Sequence, residues 1–127
     1  MQKRNTLKLI AACAILMGAS SAFSQEVIKI ANIVELSGGG ASAGTNFKNG
    51  VELAVKEINA AGGVLGKKIQ TITSDTQSNP GVAKGLTQKA VDNEVFAIFG
   101  PVFSGSIMVS MAESRRAEVP NFTGGEA

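Results

Sequence analysis

The most constraining feature of this sequence is a repeated change in its hydrophobic period. Short apolar or β-branched runs alternate with longer segments whose apolar residues recur every three or four positions. The first pattern predicts buried strands and the second predicts helices. Because each strand-to-strand connection is long enough to contain a helix, we expect parallel strands with right-handed crossovers. The predicted fold class is α/β, an incomplete parallel sheet of order βαβαβαβ, with strands at residues 27–34, 69–74, 95–99 and 119–122.

The first helix is predicted from five apolar residues whose spacing places them on one face. We expect this helix to begin after Gly44, with Thr45 or Asn46 as its capping residue. Two consecutive glycines, at positions 62 and 63, are expected to end it. The predicted inward-facing residues are Phe47, Val51, Ala54, Val55 and Ile58.

The second and third helices are predicted from their start signals. Asn79 followed by Pro80 is typical of a helix N-terminus, and Ser104 or Ser106 is expected to cap the third helix. The predicted inner faces are Val82, Ala83, Leu86 and Ala90 in the second helix, and Ile107, Met108, Met111 and Ala112 in the third. Solvated outer faces or helix ends are expected for Glu52, Glu57, Asp92, Glu94, Glu113 and Glu118.

Residues 1–24 have the pattern of a secretory signal peptide. Three basic residues precede an apolar run of residues 9–19, and small residues follow it. The apolar run is too short to span a bilayer as a helix, which argues against a membrane anchor. A lipoprotein signal ending at Cys13 fits poorly, because Lys8 lies close before it and the apolar residues continue beyond it. We expect cleavage after Ala22 or Ser24 and a periplasmic location.

The composition excludes several classes of function. The sequence has no histidine and a single cysteine, Cys13, so histidine-based zinc sites, Ser-His-Asp triads and disulfides within the chain are excluded. From Gln25 onward nine basic residues accompany ten acidic ones, which is unlike the clustered basic face of a nucleic-acid-binding protein. Ser104 has no histidine base and lies outside any Gly-x-Ser-x-Gly motif. We therefore expect a binding protein without a cofactor, not an enzyme.

A glycine-rich segment at residues 38–43 matches the G-x-G-x-x-A pattern of dinucleotide-binding proteins. Three observations argue against that interpretation. The predicted helix begins later than the dinucleotide-binding pattern requires. The next strand ends only at Asp75, so its acidic residue lies too far along the chain from the glycines. An exported protein also meets little nicotinamide cofactor. An exported dinucleotide enzyme remains the third class of function to be tested.

Four loops are expected at the carboxyl ends of the strands, where open parallel sheets bind ligands. These loops are rich in glycine, serine and threonine, which expose main-chain N–H groups and hydroxyls next to helix N-termini. That combination suits a carboxylate, although turn formation and capping alone would explain each residue. Glu35 also lies at a strand end, and the sequence does not decide whether it faces solvent or the ligand.

The longest distinctive motif is the segment 51–69, VELAVKEINAAGGVLGKKI. Shorter motifs are Leu36-Ser37-Gly38, Asp75 four residues before Asn79-Pro80, the segment 99–105 (FGPVFSG), and Thr123-Gly124-Gly125. Together they resemble the Leu/Ile/Val-binding proteins, the substrate-binding components of branched-chain amino acid ABC transporters. The resemblance implies a periplasmic-binding-protein type I fold with two lobes, of which residues 25–127 would supply the first part of the N-terminal lobe.

The resemblance also implies ligand-binding residues. Ser104, with the adjacent Gly105, corresponds to the serine that binds the α-carboxylate, and Gly125 and Ala127 correspond to residues that hold the carboxylate and the ammonium group. Ala43 stands where an aromatic residue is common, and only the main chain of Ala127 could serve. The implied partners are an amino acid or similar solute and an inner-membrane permease. The alternative is a sensor domain of the same fold. Because little sequence follows the last strand, we expect a fragment with little affinity when isolated.

Overall fold

The computed structural model describes residues 26–125, so the predicted signal peptide, residues 1–24, lies outside the described residues. The chain alternates strands and helices as predicted. The elements are β1 (Val27–Val34), a 3₁₀ turn (Gly38–Gly40), α1 (Ala41–Ala60), β2 (Lys68–Asp75), α2 (Pro80–Asp92), β3 (Ala97–Phe99), α3 (Ser104–Arg116) and β4 (Asn121–Phe122). No helix within residues 26–125 is both long enough and apolar enough to cross a membrane.

All strand pairs in the sheet are parallel, which confirms the α/β prediction. The strand order is β2-β1-β3-β4. The chain therefore moves from β1 to one neighbour, β2, and then crosses to the opposite neighbour, β3. A crevice opens at such a change of direction, between the carboxyl ends of β1 and β3, because the flanking connections leave on opposite faces of the sheet.

The core lies on the face of the sheet that α2 and α3 cover. Ala31 and Ile33 of β1 and Ile98 of β3 pack there against Ala90 of α2 and Val95, with Leu86 and Val119 at the edge. Successive residues of a strand point to opposite faces, so β1 directs Ala31 and Ile33 toward α2, and Ile28 and Ile30 toward α1. The predicted start of α2 is confirmed, because Asn79 Oδ1 accepts from the main-chain N–H groups of Gly81 (2.8 Å) and Val82 (3.2 Å).

The opposite face of the sheet carries α1 and an open apolar groove of about 750 Å³. The predicted inner face of α1 is confirmed in its direction, since all five residues line this groove together with strand residues. Two of them, Ala54 and Ile58, nevertheless remain exposed, because the groove is open to solvent. The rings of Phe99 and Phe122 stack across its floor with centroids 5.2 Å apart.

The start of α1 corrects the sequence prediction. The helix begins at Ala41, directly after the 3₁₀ turn, with Gly40 at the capping position, so neither Thr45 nor Asn46 caps it. The glycine pattern therefore does lead into a helix, and this objection to a dinucleotide site falls. The two short strands are also shorter than predicted, because β3 begins only at Ala97, after a Phe96 that is 70% exposed, and β4 only at Asn121.

The buried face of α3 also corrects the prediction. Ile107 is buried as expected, but Met108 and Met111 are 62% and 42% exposed and Ala112 is exposed. Small polar residues lie inward instead, among them Ser110, whose hydroxyl accepts from Thr87 Oγ1 (2.9 Å) and Asn121 Nδ2 (2.8 Å). These hydrogen bonds satisfy polar groups that would be costly to bury alone, so a serine face can pack against α2 and β4.

Glu113 is a further correction, because it lies between α2 and α3 and not on an outer face. Its side chain is 9% exposed and forms salt bridges with Lys84 (3.6 Å) and Arg116 (3.2 Å). Gln88 Nε2 also donates to it, at 3.3 Å. The surrounding donors compensate for the loss of water around the carboxylate.

Candidate functional site

The candidate site lies at the carboxyl edge of the sheet, where β1, β3 and β4 are adjacent. Three segments meet there: the end of β1 with the start of α1, the loop 100–103 that leads into α3, and the turn 123–125 after β4. Of the four predicted site residues within the described range, Ala43 and Gly125 belong to these segments, and Ser104 and Gly105 begin α3 directly after the loop 100–103. The topology therefore brings together positions that are up to 82 residues apart in sequence, from Ala43 to Gly125.

Glu35 occupies the centre of this edge. Its residue exposure is 0%. The sequence left open whether Glu35 faces solvent or the ligand, and this burial shows that it does neither. The carboxylate accepts hydrogen bonds from the main-chain N–H of Val102 to Oε2 (3.0 Å) and of Phe103 to Oε1 (3.4 Å). Sequence reasoning missed this role, because the donors lie 67 and 68 residues further along the chain.

Helix α1 approaches Glu35 closely because residue 44 is a glycine. A Cβ atom at Gly44 would lie 1.9 Å from the main-chain oxygen of Glu35. Gly44 is the buried residue of this otherwise partly exposed helix. The first turn of α1, which includes the exposed Ala43, is consequently held against the end of β1.

The loop before α3 also contacts the turn after β4. Gly124 N–H donates to the carbonyl oxygen of Pro101 (3.1 Å), and a Cβ atom at Gly125 would lie 2.2 Å from the carbonyl oxygen of Val102. The predicted site residue Gly125 is therefore next to the loop that precedes Ser104. Ala127, the other residue predicted from this segment, lies outside the described residues.

Ser104 and Gly105 are the first two residues of α3, and both are exposed. The prediction that Ser104 or Ser106 caps this helix is wrong: Phe103 occupies the capping position, with no side-chain capping hydrogen bond, and Ser106 is buried inside the first turn. The first N–H groups of a helix have no acceptor within the helix, and the helix dipole makes this end positive. The first turn of α3 therefore places main-chain N–H donors and the Ser104 side chain at this edge.

Asp75 links the loops after β1 and β2. Its Oδ1 accepts from the N–H groups of Leu36 (2.8 Å) and Gln77 (2.8 Å), and its Oδ2 accepts from the hydroxyl of Ser37 (2.6 Å). The Ser37 hydroxyl is the main reason that the pKa of Asp75 lies below its ordinary value of 3.8, and the main-chain donors add to this against the opposing effect of burial. Ser78 strengthens the link by donating to Ser37 O (2.7 Å) and accepting from Gly40 N–H (2.9 Å).

The charges at this edge suit a binding site for an anion more than one for a metal. In the part of the chain that the structure describes, no cluster of three or more potential metal ligands occurs. Among the described residues, two acidic groups at this edge, Glu35 and Asp75, already accept hydrogen bonds from main-chain N–H groups. The first turn of α3 carries the positive helix end, which is the kind of group that binds a carboxylate.

Comparison with known proteins identifies the family. The sequence profile of the family described as "Periplasmic binding protein" matches residues 27–126. The chain belongs to the periplasmic binding protein family. A Leu/Ile/Val-binding protein homolog 7 from Brucella suis is 35% identical over 114 residues, which is 89% of this chain and 28% of that protein.

Two solved structures of transporter solute-binding or substrate-binding proteins share the fold. The branched-chain amino acid transporter substrate-binding protein LivJ from Streptococcus pneumoniae, in complex with isoleucine, has a TM-score of 0.78 and 36% identity, covering 80% of this chain and 30% of that one. A solute-binding protein of an ABC transporter from Rhodopseudomonas palustris, in complex with 3,4-dihydroxybenzoic acid, has a TM-score of 0.70 and 28% identity, covering 76% and 26%.

These relatives are much longer than the chain. This periplasmic binding protein chain spans less than a third of the length of the relatives described above. Its family is a class of solute-binding proteins and not a class of enzymes, and the family name places its members in the periplasm.

Proposed function

We propose that residues 25–127 form the first part of the N-terminal lobe of an extracytoplasmic solute-binding protein. The protein captures a small carboxylate-bearing solute, an amino acid of the branched-chain type, and delivers it to an ABC permease in the inner membrane. Residues 1–24 act as a cleaved signal peptide that directs the protein to the periplasm. A second lobe closes on the ligand about a hinge.

The observation that carries this proposal is the position of the N-terminus of α3. Ser104 is the first residue of that helix, which follows β3 directly, so the first turn lies at the carboxyl edge of the sheet beside the crevice between β1 and β3. A carboxylate bound there gains charge-assisted hydrogen bonds and a favourable interaction with the helix dipole. Gly105 contributes its N–H group beside Ser104.

The remaining proposed contacts come from the neighbouring segments. Gly125, which lies against Val102, and Ala127 contribute main-chain groups to the carboxylate and ammonium of the ligand. Ala43, in the first turn of α1, contributes a small apolar surface. Because Ala43 is short, it leaves more space beside the ligand than an aromatic residue would, and this space contributes to selection among side chains.

The ligands of the two solved relatives support the carboxylate as the recognised group. Isoleucine is an aliphatic amino acid and 3,4-dihydroxybenzoic acid is an aromatic acid, but each carries a carboxylate. A lobe that supplies hydroxyl and N–H donors is suited to that shared group. This chain spans less than a third of the relatives' length. Their greater length supports the assignment of the remaining ligand contacts to a second lobe.

Isothermal titration calorimetry of the full-length, signal-free protein tests the proposal. We expect binding of leucine, isoleucine or valine. Benzoate, a carboxylate that lacks an ammonium group, is the comparison ligand. Replacing Ser104→Ala should weaken binding by about 1.5–3 kcal/mol, the usual value for a hydrogen bond to a charged group. Failure to bind any amino acid, amide or small organic acid would refute the proposed function.

Ser114→Ala is the matched control for this measurement. Ser114 lies ten residues further along α3, about 15 Å from Ser104 by the rise of a helix, and its hydroxyl donates to Met111 O at 3.2 Å. The control should leave the affinity within experimental error of the wild type. Equal affinities for Ser104→Ala and the wild type would remove Ser104 from the site without contradicting solute binding itself.

A further inference from the structure

We propose that Glu35 is a positioning residue, whose buried carboxylate holds the loop before α3 in the conformation that presents Ser104 to the ligand. The inference rests on the proposed function, because it concerns the same carboxylate site. Glu35 does not touch the ligand, since it is completely buried beneath the edge. It acts through the main chain of Val102 and Phe103, the two residues that precede Ser104.

The hydrogen bonds account for the choice of a carboxylate. Two main-chain N–H groups converge on the side chain, one on each oxygen, at 3.0 and 3.4 Å. A carboxylate offers acceptors at both oxygens, whereas a glutamine amide would place an NH₂ donor against one of these N–H donors. Among the described residues Glu35 forms no salt bridge, so these donors and the nearby helix N-termini are what compensate for its burial.

The surroundings of Glu35 leave it little room to move. Its main chain lies against Gly44 of α1, so the first turn of that helix limits its movement from one side. The ring of Phe103 lies close to Gly40, on the same side of the edge. A Cβ atom at Gly40 would be 3.0 Å from Phe103 Cζ and 2.9 Å from Glu35 Cβ. A fixed carboxylate therefore transmits the position of α1 and β1 to the loop that begins α3.

Preorganisation of this loop has a direct consequence for affinity. If the N–H groups of Val102 and Phe103 are already satisfied, the loop keeps one conformation before the ligand arrives, and binding does not require it to become ordered. Without Glu35 the same two N–H groups would lie unpaired beneath the edge, and the loop would move to find other acceptors. Ligand affinity should then fall even though no ligand contact has been removed.

The test compares the full-length wild type with Glu35→Gln and, as a matched control, Glu113→Gln. Both residues are buried, hydrogen-bonded glutamates, but Glu113 lies in the third turn of α3, away from the edge. We expect Glu35→Gln to raise the amino-acid Kd at least about tenfold, equivalent to about 1.4 kcal/mol. Glu113→Gln should lower the melting temperature while changing the Kd by less than about twofold. A purely structural role for Glu35 predicts the same pattern for both variants and would overturn the proposal.

Amide hydrogen exchange on the ligand-free wild type gives a readout that does not depend on a variant folding. The amides of Val102 and Phe103 should be protected before ligand is added, and in Glu35→Gln they should exchange at least about tenfold faster. The amide of Ile107, which donates to Phe103 O within the helix (2.8 Å), should be unchanged. Unprotected Val102 and Phe103 amides in the wild type would overturn the proposal. A wild type that binds no solute would refute the proposed function itself, and this inference with it.

Discussion

The close packing of α1 against β1 requires a residue without a Cβ atom at position 44, which is Gly44. In a Gly44→Ala variant the new Cβ atom would lie 1.9 Å from the main-chain oxygen of Glu35, 2.6 Å from its carbonyl carbon and 2.8 Å from its nitrogen. Because all three neighbours are main-chain atoms, no side chain can rotate to relieve the contact. The helix must move by about 1.5 Å to restore a normal separation of about 3.5 Å.

The size of the effect follows from the cost of overpacking. Inserting one methyl group into a filled site costs typically about 1–3 kcal/mol. We expect about 3 kcal/mol for Gly44→Ala, since both contacting surfaces are main chain. Gly50→Ala, in the same helix, is the matched control, because nothing lies within 4 Å of its Cβ position. That substitution should stabilise the protein by about 0.5–1 kcal/mol, the usual gain when alanine replaces glycine inside a helix.

Urea unfolding of the two full-length variants, followed by circular dichroism at 222 nm, measures both changes. The two alanines should therefore change the free energy of unfolding in opposite directions and differ by about 4 kcal/mol. If Gly44→Ala were as stable as Gly50→Ala, α1 would not approach β1 as described. The account of Glu35 as a residue confined beneath α1 would then also be wrong.

Two further predictions concern the loops of this edge and the start of α2. The Ser37 hydroxyl and main-chain donors hold the pKa of Asp75 below its ordinary value of 3.8, so ionised Asp75 stabilises the folded state above that pH, and this contribution is lost as the pH falls through the lowered pKa. The difference in urea midpoint between the wild type and Asp75→Asn should therefore shrink on acidification. A difference that does not depend on pH would refute this prediction. Asn79→Ala should cost about 1 kcal/mol through loss of the cap to Gly81 and Val82, whereas Asn79→Asp should retain most of the stability; equal urea midpoints for the two variants would contradict this role.

The elements that the sequence predicts well depend on residues close together along the chain. The bounds of β1, and those of β2 to within one residue at each end, follow from β-branched runs, and the start of α2 follows from Asn79-Pro80. Parallel pairing follows from the length of the connections. In each case the interactions that decide the structure span a few residues, so the pattern contains the necessary information.

The buried face of α3 could not be predicted in this way. Apolar spacing favours Met108 and Met111 as inward residues, yet Ser110 is buried because Thr87 and Asn121 bond to it from 23 and 11 residues away. The start of α1 was also missed, since three glycines predict a loop but form a 3₁₀ turn that leads directly into the helix. Local propensity is a weak guide wherever tertiary contacts supply the partners.

The chain by itself determined the alternation of strands and helices, their parallel direction, and the serine, glycine and alanine positions at the strand ends that resemble a carboxylate site. Only the tertiary structure decided that β1 lies between β2 and β3, that Gly125 lies against Val102 in the loop before Ser104, and that Glu35 is buried. The physical reason is the range of the interactions. Hydrophobic periodicity records which face of an element is apolar, but the partner of a polar group such as the Glu35 carboxylate lies 67 residues away and is brought to it only by the folded sheet.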